Sequence, residues 1–215
     1  MNVHEPVIAE KLQDEMLEEM MDAALQEGID IENARFYGEE TRECTGRMLE
    51  FSGCVFEKCT MGDLAIERMV FVDCLFIKCD LSRFNFRNST LQRVRFQECR
   101  LTGASFDGAS LMSAGFTQCQ MDFCNFSNAK AQQLEMQRCA MKENAFVDFR
   151  WKFWQLEDCN MQRCEFSNTS LKDLDVTSCT IGEWLVDMYA LRGLRVTQEQ
   201  AISFAALLGL KITDL

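Results

Sequence analysis

Histidine is almost missing from this sequence: His4 is the only one in 215 residues. A Ser/His/Asp constellation has nothing but that residue to use as a base, and no phosphate-cradling glycine loop accompanies it. No stretch approaches eighteen consecutive apolar residues, so no helical membrane span is expected. Basic runs of the kind that neutralise phosphates are lacking, and direct nucleic-acid binding is not expected. The N-terminal region is acidic, the opposite of a signal or transit peptide, so the expectation is a cytoplasmic, reduced protein.

Charge is abundant but unevenly placed. The net charge is −12, and residues 1–33 hold ten carboxylates against Lys11 alone. The other 182 residues carry 24 acidic and 21 basic side chains, a net of −3. The chain reads as a nearly neutral body with an acidic segment attached. Apolar residues make up 47% of it, enough for a sizeable core.

Twelve cysteines invite a reading as a disulfide scaffold or a metal site. Their spacing gives another answer. Stepping by five from Phe51 reaches Phe56, Met61, Ile66, Phe71 and Phe76, and the series stays apolar through all thirty positions to Val196. Two residues before each lies a second series, beginning Leu49, Cys54, Cys59 and Leu64, broken by polar groups only at Ser89, Asn144 and Thr169. Every cysteine, from Cys44 onward, falls in that slot. The cysteines mark a repeat.

A period of five is neither helical nor that of a simple strand. Within each unit the two apolar residues are one residue apart, as on one face of a strand. Identity also recurs at twenty: Phe56, Phe76, Phe96 and Phe116 form one column, and Cys59 through Cys179 another of seven thiols. Four short faces per circuit is the simplest solution, giving about eight stacked coils between residues 37 and 196 at ~4.8 Å each. The interior would then be filled with side chains. Small Ala131 precedes bulky Trp151 in one column, as dense packing requires. Asn144 lies in that interior, and its amide needs partners there.

The units ASFDG (104–108), CNFSN (124–128), CEFSN (164–168) and TSLKD (169–173) resemble those of the pentapeptide repeat proteins. The likeness covers about three quarters of the chain. It implies an all-β solenoid, a right-handed quadrilateral β-helix, with the handedness supplied by the resemblance. The tail GLRVTQEQAISFAALLGLKI is similar to the C-terminal capping and dimerisation segment of quinolone-resistance pentapeptide proteins. The uninterrupted register matches their loop-free type. This resemblance implies a protein partner, with DNA gyrase or another type II topoisomerase as the candidate, and a homodimer through the C-terminal helix; the near-neutral body equally permits a generic cytosolic scaffold or binding protein with no DNA mimicry.

Three regions are expected: an acidic helical segment over 1–28, the β-helix over 29–196, and a capping and dimerisation helix over 197–215. Ile8, Leu12, Met16 and Met20 recur every four residues between Pro6 and Gly28, which predicts a helix there. Thr197 and Gln200 make a capping box, and Gly209 is the expected terminator. The second helix is more apolar than one buried face needs, so Ile202, Phe204, Ala205, Leu208, Leu210 and Ile212 are the candidate dimer interface.

Catalytic, cofactor-binding and metal residues are not expected. Cys-x4-Cys pairs on adjacent faces do not match zinc-ligand spacing, and stacked thiols lie farther apart than bridged ones, so the cysteines read as small apolar packing. Arg83, Arg87, Arg93, Arg95 and Arg100 form a basic belt around one coil, interrupted only by Glu98. These arginines could touch an acidic partner or the protein's own acidic helix, and with outward-pointing Phe123 and Phe153 they are the candidate partner surface. Val55, Val70, Val72, Leu75 and Ile77 are apolar yet outside the inward slots, and the N-terminal helix is expected to fold over them.

Overall fold

Residues twenty apart lie side by side. Phe56 pairs with Phe76, Phe76 with Phe96 and Phe96 with Phe116 in parallel ladders. The structure, a computed structural model, describes residues 3–41, 44–62, 64–205, 209–211 and 213. Its elements are β1 (Gln13–Asp14), α1 (Leu17–Glu27), β2 (Ile31–Glu32), β3 (Ala34–Tyr37), β4 (Cys44–Ser52), β5 (Val55–Glu57), β6 (Leu64–Val72), β7 (Leu75–Ile77), β8 (Thr90–Gln97), β9 (Ser110–Thr117), β10 (Lys130–Gln137), β11 (Arg150–Glu157) and α2 (Gln198–Ala205). The strands stack into a parallel β-solenoid of about seven turns, with a helix towards each end. We number its faces by their inward residue: face 1 at Phe96, face 2 at Leu101, face 3 at Phe106 and face 4 at Leu111.

Two aromatic columns form the core. On face 1 the rings of Phe56, Phe76, Phe96 and Phe116 stack at 4.5 to 4.8 Å between centroids. On face 3, Phe86, Phe106 and Phe126 stack at 4.7 Å, continued by Phe146 and Phe166. The columns meet edge to face, as at Phe106 and Phe116, 5.8 Å apart and inclined by 88°. Parallel rings repeat along the axis and edge-to-face contacts lock the opposed walls, each pair contributing about 0.5–1.5 kcal/mol beyond burial. Twenty residues per turn and two rings per layer are the same fact seen from outside and inside.

The corners explain the cysteine slot. The chain turns through a left-handed residue two positions after the inward one, at Lys58, Lys78, Glu98, Gln118 and Arg138 among others, with φ between 51° and 56°. L residues adopt this region at roughly 1–2 kcal/mol. Hydrogen bonds between coils hold them there, such as Lys58 N–H to the Ile77 carbonyl at 2.8 Å. Cys79, Cys99 and Cys119 then donate their thiols to the carbonyls of Phe56, Phe76 and Phe96, twenty-three residues back, at 3.3 to 3.4 Å. Cys124 and Cys164 do the same at Leu101 and Met141. Where the slot holds Thr169 or Trp184, the hydroxyl or indole N–H bonds the equivalent carbonyl. A small weak donor fits better than an alkyl group, which is more than apolar packing alone. Asn144 is the variant case: its Oδ1 accepts the Cys124 N–H at 2.8 Å, and its amide nitrogen has no partner among the described residues.

Both ends are closed by chain that leaves the period. The predicted N-terminal helix forms over its second half only. Leu17, Met21 and Ala24 of α1 are buried over the first coils, and Gly46 supplies the space for Leu25 where later coils hold Ile66 or Phe86. Gly28 ends the helix in the left-handed region at φ 68°. Residues before Leu17 are extended instead, because β1 pairs with β3 and gives that open edge its ladder. Ile8 and Leu12, placed on a helical stripe by their spacing, lie half-buried on the outside of the rod.

At the other end the capping box forms as expected. Thr197 N–H bonds Gln200 Oε1 at 2.9 Å, and Gln200 N–H bonds Thr197 Oγ1 at 3.1 Å. The Gln200 amide also donates to the carbonyls of Val176 and Cys179, both at 2.8 Å, so one side chain caps helix and solenoid together. Gly209 takes φ 69°, and Leu210 N–H closes on the Ala205 carbonyl.

The twelve cysteines are free thiols, and all but Cys44 are buried. Burial pushes the Cys124 and Cys164 thiols up to about 12. Iodoacetamide at pH 8 should therefore modify Cys44 first and leave the other eleven until urea unfolds the rod. Intact-mass spectrometry showing several equivalents on the native protein would contradict this core.

Candidate interaction surface

From β8 onward face 1 meets face 4 at a corner unlike the others. In β8 to β11 the strand runs through it without a break, so faces 4 and 1 form one bent ribbon. Gln133 and Phe153 on this corner are not left-handed, whereas Asp73, Arg93 and Ser113 earlier in the column are. An extended strap, residues 3–12, runs along the corner back towards β1.

Arg95 anchors the strap. Its side chain is 6% exposed, and its guanidinium bonds Glu5 Oε1 at 2.9 Å and the His4 carbonyl at 3.0 Å. It lies flat because its neighbour in the next coil is Gly115: a Cβ there would come 2.7 Å from Arg95 Cδ. Ser113 Oγ accepts the His4 N–H at 2.6 Å and sits 3.1 Å from Gln133 Oε1. Asp73 accepts the Val7 N–H at 2.9 Å while Arg93 grips both its oxygens at 2.6 Å. That guanidinium contact holds the Asp73 carboxyl below its ordinary 3.8. Strap docking through Asp73 is thus present above that value and is lost as acid protonates the group.

The outward apolar cluster has a different cover from the one expected. Packing of α1 is on β4 and β2 at the end of the solenoid. The strap crosses the cluster instead, between Asp73 and Arg95, the latter the register neighbour of Leu75. Val55, outward by position, is 5% exposed, and Val70, Val72, Leu75 and Ile77 are half-buried.

The other candidate residues do not converge. The basic belt circles the rod: Arg83 is at the corner of faces 2 and 3, Arg87 at that of 3 and 4, Arg93 and Arg95 under the strap, and Arg100 on face 2. Four of the five are paired, Arg87 with Asp107, Arg93 with Asp73, Arg95 with Glu5 and Arg100 with Asp80. Phe123 is 56% exposed at φ 63°, on the corner opposite half-buried Phe153. Past His4 the strap's line continues as a groove of about 700 Å³ bordered by Met112, Gln133, Lys152 and Phe153. Sequence reading offered the acidic N-terminal segment as one partner of the belt, as Arg95 and Glu5 show, but missed this groove and the extended form of the strap. The signals were present as a glycine twenty residues after Arg95 and an acidic segment with no other partner.

At the C-terminal end, Ile202 and Leu210 are exposed, at 53% and 59%, and Ala205 is half-buried. Phe204 turns inward against Trp184, 5.6 Å between centroids, so it caps the core. Leu208 and Ile212 lie outside the described residues. Among the described residues no three metal-ligating side chains converge, and no helix is long and apolar enough to cross a membrane.

A family model for the pentapeptide repeat region matches residues 49–122, and the ladders carry the same unit beyond both limits. Residues 49–122 thus match a pentapeptide repeat region. Among solved structures it is similar to a trypsin-treated form of QnrB1, a plasmid-mediated fluoroquinolone resistance protein, at 22% identity. That alignment covers 87% of this chain and 92% of the other, with a TM-score of 0.40. HetL, a pentapeptide repeat protein involved in heterocyst differentiation regulation from the cyanobacterium Nostoc sp. strain PCC 7120, aligns at 10% identity over 75% of this chain and 76% of its own, with a TM-score of 0.29. No curated protein matches the chain.

In this rod the strap is held by a few polar contacts, and Lys11 within it is exposed. Gly115→Val should push Arg95 off its seat and release Glu5 and His4. Cleavage after Lys11 by limited trypsin should then accelerate roughly tenfold, the factor that corresponds to about 1.4 kcal/mol, with the far-ultraviolet spectrum unchanged. An unaltered cleavage rate would mean that Arg95 does not hold the strap.

Proposed function

We infer that this protein is a non-enzymatic interaction rod that recognises a protein partner through its outer faces and joins a second copy through its C-terminal end. The observation that carries the reading is the division of labour in each unit. Inward positions are filled by stacked rings and thiols, leaving chemistry only on the outward columns. Support for the second copy comes from the last turn, α2 and the residues after it, where Leu185, Met188, Tyr189, Ile202 and Leu210 are all more than half exposed. A cluster of that kind marks a contact surface.

Engagement of DNA gyrase or another type II topoisomerase is the finer reading, supported by the resemblance to quinolone-resistance pentapeptide proteins and the uninterrupted repeat. Charge argues against imitation of a duplex. DNA carries about one charge per 1.7 Å of axis, while residues 34–181 hold 20 acidic and 18 basic groups. Most of the ion pairs on the rod join residues twenty apart, cancelling charge between coils. The reading favoured here is therefore a cytoplasmic binding rod without mimicry.

Two measurements test it. Sedimentation at micromolar concentration should give twice the chain mass of 24.8 kDa, and Ile202→Glu should return it to the monomer while Phe204 keeps the cap. A wild-type monomer would remove the C-terminal interface. In a gyrase supercoiling assay, tenfold molar excess should neither inhibit the enzyme nor relieve fluoroquinolone inhibition. Either effect would put the topoisomerase reading first.

A further inference from the structure

Most of the ion pairs on this rod join residues of neighbouring coils, and the later turns of one face have none. Lys78 pairs with Glu98, Arg87 with Asp107, Arg93 with Asp73, Arg100 with Asp80, Arg163 with Glu143 and Arg195 with Asp175. In each case a cation is answered by a carboxylate in the next coil. Opposite charges across neighbouring strands stabilise a sheet, and like charges directly opposite destabilise it.

On the later turns of face 4 the pairing fails. Lys130 and Arg150 are direct register partners in β10 and β11. Lys152 precedes Lys172 by the same twenty residues, and Arg192 follows at the next step. All five are exposed, and none forms an ion pair among the described residues. Asp173 is the one carboxylate on this stretch of the face. Stacked at ~4.8 Å per coil, the cations repel one another. Nowhere else among the described residues do five exposed cations without an ion pair share one face.

We propose that the cationic strip of face 4, from Lys130 to Arg192, is a docking site for an acidic, extended polypeptide segment of a partner protein. Two observations select that occupant. The strip is narrow, bordered by Asp148 at the corner with face 3 and by Glu135 and Asp175 on face 1, so it suits a single chain and would repel the wide phosphate surface of a duplex. It is also continuous with an interface already occupied. The strap lies extended along the same bent ribbon, with Glu5 on Arg95 and Val7 on Asp73. Beyond His4 its line passes Phe153 and Lys152, an apolar and a cationic side chain. This site deepens the interaction reading and rests on it.

The test is fluorescence anisotropy with a labelled twelve-residue peptide of glutamate interspersed with valine and proline, and with its glutamine counterpart. The glutamate peptide should bind the full-length protein, the glutamine peptide should not, and affinity should fall as salt screens the strip. Lys130→Glu combined with Lys152→Glu should weaken binding at least about tenfold, whereas Arg138→Glu on face 1 should not. The Lys130→Glu variant should also melt higher than wild type, because it restores a cross-coil pair with Arg150, so lost binding cannot be lost folding. Equal losses in the Arg138→Glu control, tighter binding of a single-stranded oligonucleotide than of the peptide, or no peptide binding at all would each overturn the site. A change in sedimentation caused by the face 4 variants would overturn it too, by placing a second copy there. A rod that self-associates through Ile202 yet ignores the peptide loses the face 4 site and keeps the interaction reading.

Discussion

Each coil depends on the next for its backbone hydrogen bonds, and the rest of the structure follows from that. A unit of five residues is too short to satisfy its own N–H and C=O groups, so residue i is bound to residues near i ± 20. Side chains inherit the spacing. Phenylalanine rings must stack on phenylalanine rings, and a polar group in the interior must find a partner one coil away, as Asn144 does at the Cys124 N–H. The thiols belong to the same account. The carbonyl at each corner points inward after the turn, and a cysteine in the following coil supplies a small donor without adding bulk. Six of the seven thiols at steps of twenty donate to the carbonyl twenty-three residues back, the chemical imprint of one recurring acceptor.

A stack that satisfies itself internally must fail at its first and last members, and the chain solves the two ends differently. At the C-terminal end one glutamine does the joining, with Gln200 capping α2 and the carbonyls of the last turn at once. At the N-terminal end the work is shared: α1 covers the core opening, and residues 13–15 add a strand beside β3. These ends are the least periodic parts of the molecule, and they are where exposed apolar side chains gather.

The same contrast governs what could be read from sequence. The period, four faces per coil, the filled core and the capping box were all legible, because each leaves a mark at a fixed spacing: five, twenty, or the three residues from Thr197 to Gln200. The strap was not. Ile8, Leu12, Met16 and Met20 fit a helical stripe, yet Ile8 and Leu12 serve an extended segment whose partners lie up to 109 residues away. Local pattern cannot distinguish a helix from a strand when the deciding bonds are so distant. Arg95 was counted with an open basic belt for the same reason. Its burial depends on Gly115 and Glu5, one a coil away and the other at the start of the chain.

Uniformity inside the rod frees the outside to vary. Replacing an inward phenylalanine disturbs two stacked neighbours and an edge-to-face partner, so the core columns are tightly constrained. An outward residue touches mainly its counterparts one coil above and below, and the constraint on it is chiefly the sign of its charge. Alternating signs along a column cost nothing and add a little stability. A column of one sign is therefore the least expected surface on such a rod, and the physical reason to keep one must come from outside the molecule. Face 4 carries two such short columns side by side, Lys130 with Arg150 and Lys152 with Lys172 and Arg192, adjoining the one corner where the chain has already bound an acidic segment of itself.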